Sequence, residues 1–97
     1  MDDRTLENLP GAEIVLPGIE DLKRKVMSVN ALAVQAAAPR LRSLGLDARS
    51  ADDEVPAAHR LYRHLQQELG NGAHSRYNAI LRRVSSFARA AERARVG

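Results

Sequence analysis

The sequence predicts an all-α fold. It reads as a small three-helix bundle-like domain, with one long N-terminal helix packed on a C-terminal antiparallel helical hairpin. Three observations carry that expectation. Apolar residues recur at helical spacing from Ile19, again from Ala58, and again from Tyr77. No segment alternates with the period of two that a half-buried strand needs. Only Glu13-Ile14-Val15-Leu16 resembles one, and it is too short to build a sheet. The third observation is the composition. Sixteen of the 97 residues are Ala, and Leu, Ile, Val and Phe together make only 23, so the core is thin and depends on close helix approach. At 97 residues the chain is a single helical domain.

The first nine residues read as a loosely ordered N-terminus. They lead into a short echo, in which Leu9-Pro10-Gly11-Ala12-Glu13 is followed seven residues later by Leu16-Pro17-Gly18-Ile19-Glu20. Each copy places proline ahead of a carboxylate. That is helix-start chemistry, because proline has no N–H to waste and the negative charge meets the positive end of the helix dipole. Helix one therefore begins at Pro10 or at Pro17. In the first case Pro17 falls in its second turn.

The stripe Ile19, Leu22, Val26, Val29, Leu32 or Ala33, and Ala36 keeps one helix running to about Ala38, with Lys23, Arg24 and Lys25 solvated beside it. Pro39 ends or kinks that helix and leaves an extra short helical turn around residues 39–44. Gly45-Leu46 then matches a left-handed C-terminal cap. Residues 47–54 are polar and aperiodic, and read as an acidic surface loop. The remainder, 55–97, is a basic helical hairpin. Its first helix carries Ala58, Leu61, Tyr62, Leu65 and Leu69 and stops at Gly70-Asn71-Gly72. Its second runs from about Ala73 with Tyr77, Ile80, Leu81, Val84, Phe87, Ala88 and Ala91 on one side.

Composition excludes several function classes. Without Cys there is no disulfide framework, thiolate zinc site, iron–sulfur cluster or cysteine nucleophile. The acidic start lacks the apolar stretch of a secretory signal, and no run approaches the ~20 apolar residues of a membrane span. A cytoplasmic protein that does not engage membranes is expected. His59 and His64 are five apart and diverge around a helix, so no metal is expected, and no cofactor either. Gly70-Asn71-Gly72 has no strand before it and no Lys-Ser or Lys-Thr after it, so it is no phosphate loop.

Charge is what remains. Residues 1–54 hold 7 basic and 10 acidic side chains, whereas 55–97 hold 8 Arg against 2 Glu. The last helix concentrates the excess in Arg76, Arg82, Arg83, Arg89 and Arg93. Of these, Arg82, Arg89 and Arg93 share one strip opposite the apolar stripe, with Ser75 and Ser86 beside it. Such a strip suits phosphate recognition. The plainer account is a solvated face, or one neutralised by the acidic half of the same chain. A second cluster, His64, His74 and Asn78 with Arg76 nearby, forms a candidate polar pocket at the closed end of the hairpin. Helix-end hydrogen bonding by Asn71, His74 and Ser75 is the plainer account of it.

The function expected of this chain is that of a small, non-enzymatic, bacterial-type accessory protein. It would act as a helical protein–protein interaction module that self-associates as a homodimer or pairs with an acidic protein. The alternative is a nucleic-acid-binding regulator or antitoxin-like partner that uses the arginine strip. A third reading is a small RNase-like enzyme centred on His64 and His74. No small-molecule substrate is implied.

Overall fold

The structure, a computed structural model, describes residues 6–48 and 56–96. Among them the helices are α1 (Ala12–Lys23), α2 (Val29–Ala36), α3 (Ala38–Ser43), α4 (Ala57–Leu69) and α5 (Ala73–Val96), with a 3₁₀ turn at Gly70–Gly72 between the last two. No strand occurs among the described residues, and the helices pack on one another as an all-α bundle.

The first copy of the Pro-Gly echo opens α1. Gly11 is its N-cap with φ 83°, and a Cβ there would run into the backbone carbonyl of Arg83 on α5. Only glycine meets both demands, so the start of α1 is pinned against α5. Glu13 stands in the first turn and Pro17 inside the helix, as expected if Pro10 marks the start. Ile14, Val15, Ile19 and Leu22 face the core.

The long helix one, predicted to run from Pro10 or Pro17 to about Ala38, is instead two helices folded against each other. Lys25 takes the left-handed conformation, φ 61°. Its N–H bonds to the Leu22 carbonyl at 3.1 Å and that of Val26 to the Asp21 carbonyl at 2.8 Å, the crossed pair of bonds that closes a helix end. Three residues on, Ser28 caps α2. Its Oγ accepts from the Ala31 N–H at 3.1 Å and donates to Asp21 Oδ2 at 2.6 Å, tying the new start to the old end. Val26, placed in the core stripe by its spacing, is 47% exposed at this turn.

Reversal is what gives the small core enough surface to bury. A Cβ on Gly18 of α1 would lie 2.5 Å from both the Asn30 carbonyl oxygen and Val34 Cγ2 of α2, so these two backbones approach as closely as glycine permits. Ala31, Leu32, Ala33 and Val34 are all buried in succession. Four consecutive residues cover the whole circumference of a helix, so α2 is enclosed on every side. It touches α1, α3, α4 and α5, and the rest of the bundle is arranged around it.

Pro39 lies in the first turn of α3, the short helical turn expected there. The cap that follows is also as expected: Gly45 N–H bonds to the Arg42 carbonyl at 3.0 Å, and Leu46 N–H to the Leu41 carbonyl at 3.2 Å. Leu6 and Ala48 are buried in the core, while residues 1–5 and 49–55, which hold most of the expected loose N-terminus and acidic loop, lie outside the described residues.

In the hairpin, Leu61 and Leu65 of α4 point inward. Leu69, expected to extend their stripe, is 48% exposed at the last residue of α4, where the helix gives way to the 3₁₀ turn at Gly70–Gly72. The α5 stripe is as read: Ile80, Val84, Phe87, Ala88 and Ala91 are buried, with Tyr77 and Leu81 partly so. At ~1.5 Å per residue its 24 residues span about 36 Å. That is most of the 41 Å long axis of the molecule.

Candidate functional site

With one side of α5 fixed to the core, its other side is fixed as an outer surface. Arg82, Arg89 and Arg93 fall within about 40° of one another around the helix. All three are exposed. From Arg82 to Arg93 the strip is about 16 Å long. No ion pair among the described residues holds Arg82 or Arg93. Arg89 stands close enough to Glu92 to favour its charged form, but the hydrogen bonds of Glu92 go elsewhere.

Two long-range ion pairs brace the flanks of α5. On the α1 side, Arg83 Nη2 and Nε donate to Glu13 Oε1 at 2.6 and 2.8 Å. The Glu13 carboxylate accepts from its own backbone N–H and from Arg83, which together hold it below the ordinary carboxylate range. On the α3 side, Arg40 Nε donates to Glu92 Oε1 at 2.9 Å and Arg40 Nη2 to Oε2 at 3.4 Å. That contact lowers the Glu92 pKa and raises that of Arg40. Both pairs are about half exposed and screened by solvent, so they orient α5 more than they stabilise the fold. Their greater consequence is bookkeeping of charge: Glu13 and Glu92 are committed at the flanks, and the outward strip keeps its positive field.

The five arginines singled out from the sequence therefore separate. Arg83 is paired with Glu13. Arg76, about 120° around the helix from Arg82, is exposed on the same flank as Arg83 rather than on the strip. Arg82, Arg89 and Arg93 remain together. Ser86 and Ala90 lie among them, Ser75 and Ala79 continue the face N-terminal to Arg82, and Asn78 and Ser85 border its other edge.

The expected polar pocket does not assemble as a unit. Asn78 Nδ2 and His74 Nε2 lie 3.2 Å apart on adjacent turns of α5. Tyr62 packs edge-on to the His74 ring at 6.3 Å and to Tyr77 at 5.2 Å, closing the α4–α5 seam beside them. His64 belongs elsewhere. It is two residues beyond Tyr62, about 200° around α4, so it faces away from the seam. Its Nε2 lies 3.1 Å from Glu68 Oε1, and it lines a shallow groove of about 270 Å³ with Met27, Leu32, Arg60, Arg63 and Gln67. That groove exists because the α1–α2 reversal brings Met27 up to α4. No spacing in the sequence signals it, since the turn itself was hidden inside an unbroken apolar stripe.

A second groove of about 310 Å³ runs between the N-terminal segment, α1 and Leu46, floored by Leu6, Leu16 and Ile19 and edged by Glu7, Glu20 and Lys23. Among the described residues no group of three or more His, Asp or Glu side chains is placed to hold a metal ion. No helix among them is long and apolar enough to cross a membrane. No family model matches the chain, and neither a curated protein nor a solved structure matches it.

Proposed function

We propose that this chain is a non-enzymatic docking module whose working surface is the outer face of α5, and that its ligand is the phosphate backbone of a nucleic acid. One observation carries the reading. Arg82, Arg89 and Arg93 stand exposed on one strip while the carboxylates nearest α5 are bonded to other arginines. Arginine suits this role because its planar fork matches two phosphate oxygens at once and its charge persists at any physiological pH. The two flanking ion pairs hold α5 in place without spending the strip.

The test is retention of a labelled pool of RNA and DNA at low salt. The wild-type chain is expected to retain it. A triple R82A/R89A/R93A variant with unchanged circular dichroism is expected to lose it, and Arg42→Ala, which removes one exposed charge on α3, is expected to keep it. Absence of retention by the wild type, or undiminished retention by the triple variant, overturns the reading.

Self-association is a second reading, supported by a different observation. The groove beside α1 exposes part of Leu16 between Glu7, Glu20 and Lys23, a concave surface that a second copy could enter. Light scattering at micromolar concentration is expected to give the mass of a dimer on this reading, and a monomer's mass would remove it.

A further inference from the structure

The geometry points to B-form duplex DNA as the nucleic acid, with the outer face of α5 laid in the major groove; this rests on the phosphate-binding reading above. Three features of the face support it.

The first is its profile. Ser86 and Ala90 lie among the arginines, Ser75 and Ala79 continue the face N-terminal to Arg82, and Asn78 and Ser85 border its other edge; Ser75 and Ala79 are exposed. A helix with ordinary side chains is about 10–12 Å across, close to the ~12 Å width of the B-DNA major groove. A face of Ser and Ala is narrower, so the backbone of α5 can sink between the phosphate walls while the long arginines reach them. A single strand places no such demand on helix width.

The second is the location of the rings. The chain has three Phe or Tyr rings, Tyr62, Tyr77 and Phe87. Phe87 is fully buried, and the two tyrosines pack against each other in the α4–α5 seam. None stands on the arginine face. Proteins that take single strands rely on exposed rings on which successive bases stack, and this face offers no Phe, Tyr or Trp; His74, on α5, is held by Tyr62 and Asn78.

The third concerns shape. The strip is straight, about 16 Å long, and carried by the longest helix of the molecule. A-form RNA has a major groove too deep and narrow to admit a helix. The same face laid on duplex RNA is restricted to the outside of the backbone, where fewer of the three arginines engage at once.

The experiment compares three fluorescent probes of about 20 nucleotides or base pairs by anisotropy at low salt: duplex DNA, one of its strands, and the duplex RNA of the same sequence. Duplex DNA is expected to bind at least about tenfold more tightly than either of the others. A second variant reads the profile directly. Ala79→Leu adds bulk on the exposed face without changing charge, and is expected to weaken duplex binding about tenfold while leaving single-strand binding as it was. Equal or tighter binding of the single strand or the RNA duplex, or an Ala79→Leu variant that binds duplex DNA like the wild type, overturns the groove assignment and leaves phosphate binding standing. Absence of binding to all three probes overturns both.

Discussion

Lys25 holds the conformation on which the whole N-terminal half turns. At φ 61° its side chain crowds the backbone, a cost of about 1 kcal/mol that glycine does not incur. Replacing it by glycine keeps both cap hydrogen bonds and removes that strain, offset in part by the greater freedom of glycine in the unfolded chain. Lys25→Gly is expected to raise stability by about 0.5 kcal/mol, a rise of a few degrees in the thermal midpoint by circular dichroism. A fall in the midpoint would show that the lysine is not strained there. This residue also explains why the reversal was illegible in the sequence. A helix that ends at Gly45 announces itself, and that cap was read correctly. A helix that ends at lysine, between apolar residues that keep helical spacing across the break, does not. Ser28 was the available signal, since a serine ahead of Val29-Asn30-Ala31 is N-cap chemistry, but the unbroken stripe outweighed it.

Among the helices, α2 shows most clearly what composition was saying. Its alanines were read as one side of a long amphipathic helix, whereas they surround a short buried one. Ala is the residue that lets four neighbours approach a single axis, and Gly18 of α1 lets α1 come close enough that an added Cβ would meet the Asn30 carbonyl. Gly18→Ala gains about 1 kcal/mol in helix propensity but forces α1 off the Asn30 carbonyl and Val34, an overpacking cost of about 1–3 kcal/mol. A net loss of about 1 kcal/mol in urea denaturation is expected. Gly72→Ala, where the added Cβ meets only Leu69 Cβ at an ordinary 3.7 Å, serves as its control and is expected to be neutral. Equal behaviour of the two would contradict the close approach. By contrast α4 and α5 were legible almost to the residue, because Gly70-Asn71-Gly72 is an unambiguous break and the α5 stripe from Tyr77 to Ala91 faces a single core.

At the scale of the molecule, charge separates into two uses. The acidic first half and basic second half do not simply neutralise each other. Glu13–Arg83 and Arg40–Glu92 join residues 70 and 52 positions apart and fasten α5 to α1 and α3. Which charges meet is set by how α1 and α3 pack on α5, so the sequence named the charges without showing their partners. The strip of Arg82, Arg89 and Arg93 needed only the helix period and was visible beforehand. What the fold adds is that these three face outward together, with small residues between them. The central claim is that this strip binds phosphate. Its most direct measurement is the salt dependence of duplex DNA binding by the wild type and by the R82A/R89A/R93A variant. Three phosphate contacts predict a slope of log K against log salt of about −2.7 for the wild type, and little or no binding by the variant. A slope near zero, or the same slope in the triple variant, would contradict it.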